Sequence, residues 1–166
     1  MVCGNPKPAS RTLAAAVDVA TRVADGSPPA AVIDLVDLGP ALLGWGDPAV
    51  ADALAAVMAS DVVVFASPTY KASYTGLLKL FLDQIAGDSM GGIVAVPMML
   101  GAGPAHALAP EVHLRPVLVE LGASCPTRAL YLLDSDPSGP ALDAWLDANV
   151  PLIRRACGLP SSRPNT

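Results

Sequence analysis

At 166 residues the chain is long enough for one domain with a substantial buried core, and only 15% of it is charged, against about 25% in a typical soluble protein. A net charge of −5 and a pI near 4.7 argue against a general nucleic-acid binder, and no uninterrupted apolar run reaches the ~18 residues of a membrane span. Cys3, Cys125 and Cys157 are odd in number and lack metal-ligand or Cys-x-x-Cys spacing, so they read as reduced thiols. Residues 1–12 do not read as a basic-then-apolar leader, and the expected compartment is the cytoplasm.

In chain order, Met1 to Gly4 is the end of a first strand, shorter than the about five or six residues usual for a central one. The expectation is that the natural reading frame begins several residues upstream. Gly4-Asn5-Pro6-Lys7-Pro8 is a loop, and Ser10 or Thr12 caps a helix running to about Ala24, with Leu13, Ala16, Val17, Ala20 and Val23 as its apolar stripe. Such a strand–loop–helix start offers backbone N–H groups and a positive dipole end to an anion. Lys7 and Arg11 add charge there, and Asn5, Ser10 and Thr12 add donors. By itself the segment reads equally as an ordinary capped helix behind a Pro-rich loop.

Ala30 to Leu35 is the second strand, ending near Asp34 and Asp37; with no GxGxxG upstream, these are not assigned to a ribose. Trp45 lies in the loop from Gly39 to Pro48 and reads mainly as a packing residue. A helix with Pro at its start runs from Pro48 to Ala59. From Asp61, the run Val62-Val63-Val64-Phe65-Ala66 is apolar without alternation, as in a strand buried on both faces of a parallel sheet. Ser67-Pro68-Thr69-Tyr70 breaks it. From Gly76, Leu77, Leu78, Phe81, Leu82 and Ile85 fall at helical spacing. The intervening loop carries Ser67, Thr69, Tyr70, Lys71, Ser73 and Tyr74 at a strand's carboxyl end, where ligands bind in open α/β sheets. Hydroxyls, amides and aromatic faces there suit a flat heteroaromatic ring, but spacing alone fits a polar surface loop equally well.

Ile93 to Val96 is a short strand, and Pro97 to Leu100 reads as strand again, the two together counting as the fourth, before Gly101-Ala102-Gly103, whose small residues permit close approach to a ligand. Pro110 and Pro116 should bend or split the helix from Pro104 to Leu121. His106 and His113 have no triad or metal partner in the sequence, and no catalytic or metal residue is assigned. Thr127 to Leu133 is the fifth strand, Ala141 to Cys157 the last helix, and 161–166 a tail after a single domain over 1–160. Five strands alternating with five helices make an α/β, flavodoxin-like three-layer sandwich with a five-stranded parallel sheet in the order 2-1-3-4-5.

Residues 67–85, SPTYKASYTGLLKLFLDQI, resemble the flavin-contacting loop of the NAD(P)H-dependent FMN reductases. The nearest branch is the flavodoxin-like reductases that supply reduced flavin to alkanesulfonate monooxygenases. The first loop resembles that family's phosphate pattern Gly-Ser-x-Arg-x-x-Ser-Arg-Thr, with Asn5 for Ser and Lys7 for Arg. Leu100 to His106 resembles its Thr-Gly-Gly-Ser-Pro-Ala-His, with both hydroxyls lost at Leu100 and Gly103.

The resemblance implies FMN phosphate at Asn5, Lys7, Ser10, Arg11 and Thr12. It implies the ring against Pro68, Thr69, Tyr70, Lys71, Ser73, Tyr74 and Gly76, with Thr69 and Tyr70 acting through backbone contacts, and the far edge near Gly101, Ala102 and Gly103. It further implies hydride transfer from NADPH or NADH to flavin N5, a flavin-dependent monooxygenase as partner, and a homodimer or homotetramer joined through helices 76–86 and 104–121. An FMN-bound quinone or azo reductase and a flavodoxin-type electron carrier are the alternatives; the basic Lys7 and Arg11 disfavour the carrier.

Overall fold

The computed structural model describes residues 1–159; the expected tail over 161–166 lies outside the described residues. Five parallel strands, β1 (Val2–Cys3), β2 (Ile33–Asp34), β3 (Val62–Pro68), β4 (Val94–Gly101) and β5 (Leu130–Leu133), form one sheet in the order β2-β1-β3-β4-β5. This is the expected flavodoxin-like order.

The sheet is apolar on both faces, which is why β3 reads as a continuous run rather than an alternation. Val63 and Phe65 pack on one side with α3 (Pro48–Met58), α4 (Gly76–Leu82) and α5 (Arg115–Glu120). Val64 and Ala66 pack on the other with α1 (Arg11–Val23) and α6 (Pro140–Ala156). Each cap is local. Ser10 Oγ accepts the Leu13 amide (3.1 Å), Asp47 Oδ1 accepts the Ala49 amide (2.9 Å) ahead of Pro48, and Thr75 Oγ1 accepts the Leu78 amide (3.2 Å).

Several boundaries differ from those expected, each for a tertiary reason. β2 pairs with β1 at Ile33 and Asp34, with the Met1 amine donating to the Ala31 carbonyl ahead of them (2.8 Å), and it ends where Leu35 turns into the single helical turn α2 (Leu35–Leu38). The two short strands expected around Pro97 are one, β4. The Val94 amide donates toward β3, at Asp61, and the Ala95 amide toward the other side, at Ser124. By alternation the missing Pro97 donor faces β5, one residue before pairing with that strand begins at Met98 and Leu130.

β5 starts at Leu130 rather than Thr127 because side chains take the backbone groups ahead of it. Arg115 donates to the carbonyls of Thr127 (3.0 Å) and Cys125 (2.8 Å), and Glu111 Oε2 accepts the Ala129 amide (2.8 Å). The helix expected from Pro104 is split, as its prolines require. It becomes a 3₁₀ turn at Pro104–His106, a π turn at Pro110–Leu114, and then α5 with Pro116 in its first turn. Trp45 does not pack: it is 77% exposed in the segment before α3.

Candidate active site

At the carboxyl ends of β1, β3 and β4 a cleft of about 350 Å³ collects three loops and one residue of a fourth. The first loop contributes Asn5, Lys7, Ala9, Ser10, Arg11 and Thr12. The second contributes Pro68, Thr69 and Tyr70, the third Leu100, Gly101 and Ala102, and β5 is followed by Asp134. The other residues expected from the sequence, Lys71, Ser73, Tyr74, Gly76 and Gly103, lie outside this lining.

The first loop is shaped by its own polar side chains. Gly4 donates to the Ala66 carbonyl (2.8 Å) and has no room for a side chain, since a Cβ would stand 2.5 Å from Leu78 Cβ. Asn5 is buried; its Oδ1 accepts the Lys7 amide (3.0 Å) and its Nδ2 donates to Thr12 Oγ1 (3.0 Å), tying loop to helix start. Asn5, Ser10 and Thr12 therefore build the loop. That leaves the charges of Lys7 and Arg11, and the amides of Arg11 and Thr12, which the helix cannot satisfy internally, for an anion. Arg11 is engaged by Asp134: Nη1 donates to its carbonyl (3.0 Å) and Nη2 to Oδ2 (3.3 Å). Beneath the loop, burial pushes the Cys3 thiol up to about 11, so it is no nucleophile at neutral pH.

The second loop is held at both ends. The Thr69 amide extends the β3–β4 ladder to the Leu100 carbonyl (2.6 Å), and Ser67 Oγ accepts the Thr75 amide (3.0 Å). Thr75 Oγ1 donates to the Gly4 carbonyl, fastening this loop to the first. Tyr70 and Ser73 exchange backbone hydrogen bonds (2.9 and 3.1 Å) across a two-residue tip, Lys71 and Ala72, both at positive φ (51° and 67°). The amides of Thr69 and Tyr70 thus already have acceptors within the protein. Thr69 Oγ1 is buried without a partner among the described residues. Tyr74 turns into the core instead, and burial raises its phenol above the ordinary range.

A left-handed alanine is strained by roughly 1–2 kcal/mol. Ala72→Gly is expected to raise stability by about 0.5–1 kcal/mol, after the glycine's own entropy cost, as a higher urea midpoint. A lower midpoint would mean that the lost methyl contacts outweigh the strain.

In the third loop Gly101 sits against Tyr131, whose hydroxyl donates to the Gly103 carbonyl (2.6 Å). A Cβ at Gly101 would lie 1.9 Å from that hydroxyl and 3.3 Å from Thr69 Oγ1. Thr75, Tyr131 and Asp134 were not singled out from the sequence. Asp134 is signalled by its position at a strand's carboxyl end and Thr75 by its place just ahead of the helical run from Gly76, where threonine caps; Tyr131 carries no signal.

A larger cavity of about 490 Å³ opens at the opposite, amino ends of the strands, between α1, the approach to β2 and α6. Its walls are mostly alanine, valine and proline, without the convergent donors of the strand-end cleft.

Residues 1–137 match the family described as NADPH-dependent FMN reductase. The FMN reductase (NADPH) of Escherichia coli strain K12 is 37% identical over 76 residues, 46% of this chain and 40% of that enzyme, so the match spans less than half of the relative's length. The apo form of an NADH:FMN oxidoreductase (EMOB) is 31% identical with a TM-score of 0.81, over 98% of this chain and 89% of that one. A flavodoxin from the domain Archaea, 11% identical with a TM-score of 0.62 over 93% and 96% of the two chains, shares the fold alone. With the 2-1-3-4-5 sheet and a match that runs from β1 past Asp134, the chain belongs to the NADPH-dependent FMN reductase family.

Proposed function

We propose that this protein reduces FMN at the expense of NAD(P)H in the strand-end cleft. The observation that carries the reading is the meeting, in one cleft, of an anion-ready helix start and a buried, unpartnered hydroxyl. Lys7 and Arg11 supply positive charge beside the first-turn amides of α1, which suits a phosphate. Thr69 Oγ1, without a partner among the described residues, suits the polar edge of a heteroaromatic ring, and the exposed Tyr70 offers an aromatic face. Gly101 and Ala102 bound the far side with almost no side-chain bulk.

FMN bound there would supply the redox chemistry, as the acceptor of a hydride from the nicotinamide. The chain's part is to bind, orient and leave one face open; among its residues no acid–base pair is needed for that transfer. Lys71, at the turn tip outside the cleft lining, is suited to the phosphates of the dinucleotide rather than to the flavin. Arg11→Ala is expected to weaken FMN binding by roughly 1.5–3 kcal/mol, the worth of a charge-assisted hydrogen bond. A dissociation constant equal to wild type removes Arg11 from the phosphate site.

The direct test is anaerobic stopped-flow of flavin-free protein with NADPH or NADH, with and without FMN. Nicotinamide and flavin absorbances falling together only when FMN is present supports the proposal. FMN bound without any nicotinamide oxidation would indicate an electron carrier instead. Flavin retained tightly through purification, with electrons passed on to quinones, would indicate a quinone reductase.

Delivery of reduced flavin to a separate monooxygenase belongs to the same reading and is supported by the resemblance of the 67–85 segment. Three free thiols support cytoplasmic residence. Assembly through the segment before and within α5 is supported by Leu108, Val112 and Val119, each more than half exposed. A monomer by light scattering at micromolar concentration would refute that assembly.

A further inference from the structure

We propose that Asp134 holds the affinity of the cleft for FMN down by competing with the flavin phosphate for Arg11. The inference rests on the reading of the cleft as an FMN site.

Arg11 and Asp134 come from opposite ends of the sequence, one in the first turn of α1 and the other just after β5, and both line the cleft. Their side chains are 71% and 35% exposed. An ion pair this exposed contributes little to stability, so folding alone does not require a carboxylate here. Its place is nonetheless specific. The guanidinium is gripped twice, by the Asp134 carbonyl and by Oδ2, and the carboxylate takes one edge of the donor fork that phosphate would use.

Carboxylate and phosphate are both acceptors, and Asp134 already takes one N–H of each terminal nitrogen of Arg11, so a phosphate meets a guanidinium whose charge and donors are partly engaged. When a phosphate arrives, the Asp134 carboxylate stands as a negative charge beside a dianion, whether Oδ2 keeps its bond to Nη2 or yields it. The backbone carbonyl of Asp134 remains available to Nη1 throughout, which keeps Arg11 at the cleft in either case. Such an arrangement favours a flavin that binds, is reduced and leaves over one that stays. It also distinguishes flavins by their phosphate: riboflavin, which has none, does not need the disputed donor.

The test titrates FMN and riboflavin, by flavin fluorescence, into the full chain as wild type, Asp134→Asn and Asp134→Ala. Asn keeps the size and the backbone carbonyl while removing the charge; Ala guards against a new amide contact. FMN is expected to bind about tenfold tighter to both variants, mostly through slower release, with riboflavin unchanged and the gain shrinking as salt rises.

Unchanged or weaker FMN binding in both variants would overturn the proposal, the weaker case showing that Asp134 positions Arg11 for the phosphate. Equal tightening of riboflavin would overturn it too, as an effect of shape rather than charge. If wild type binds FMN and the variants do not differ, only this inference fails. If no chain binds either flavin, the reading of the cleft fails with it.

Discussion

Gly101→Ala is expected to destabilise the protein by about 1–3 kcal/mol, the usual cost of forcing a methyl into filled space, and to weaken flavin binding. The added Cβ would stand 1.9 Å from the Tyr131 hydroxyl and 2.8 Å from its Cζ, neither of which can remain in place. Moving the ring breaks the hydroxyl's bond to the Gly103 carbonyl and shifts the end of β4 against Thr69, the residue with the open hydroxyl. Tyr131→Phe alone should cost about 0.5–1.5 kcal/mol for the lost hydrogen bond. Since it also removes the nearest clashing atom, the double variant should be at least about 0.5 kcal/mol more stable than the two single losses summed. Denaturant midpoints of the four proteins close this cycle. Strict additivity would show that the methyl is accommodated elsewhere.

Thr75→Val should cost about 2–4 kcal/mol. Its hydroxyl does two things at one buried point: it accepts the Leu78 amide as the cap of α4 and donates to the carbonyl of Gly4. Loss of a cap is worth about 1 kcal/mol, and a buried carbonyl left unpaired about 1–3. For a domain of this size the melting midpoint should fall by roughly 5–15 °C. Thr75→Ser, which keeps the hydroxyl, should recover most of it. A valine variant melting with wild type would mean that water reaches Gly4. Because Gly4 leads directly into Asn5, the same change should loosen the anion loop and lower FMN affinity.

What could be read without coordinates was whatever neighbouring residues decide among themselves. The unalternating run Val62 to Ala66 announces a strand covered on both sides, and it is. Ser10 caps α1 through an amide three residues on, and Asp47 with Pro48 starts α3, so both helix starts were legible. Pro110 and Pro116 split their helix because proline lacks a donor wherever it stands. The strand-end loops of the cleft were legible for a related reason: in a parallel sheet the carboxyl ends of the strands gather on one side, so a polar loop after an apolar run already has an address.

Who bonds to whom across the fold was not legible. The residues from Ala30 to Leu35 favour a strand, but β2 ends after Asp34, where Leu35 turns into α2. Arg11 is expected to join Lys7 at a phosphate, and nothing nearby in the sequence points to Asp134, 123 residues away in the chain, which stands against it. Thr69 and Tyr70 are expected to act through backbone contacts, and the fold sets which groups are open for that: the Thr69 amide continues the sheet and the Tyr70 amide closes a turn. Trp45 was expected to pack and is exposed, since burial depends on what lies opposite and nothing covers it among the described residues. The sequence by itself determined the elements, their order and the side of the sheet on which the chemistry sits, because periodicity, caps and prolines act over a few residues. Only the tertiary structure decided strand lengths, the partners of the polar groups and the carboxylate in the cleft, because those depend on contacts closed across most of the chain.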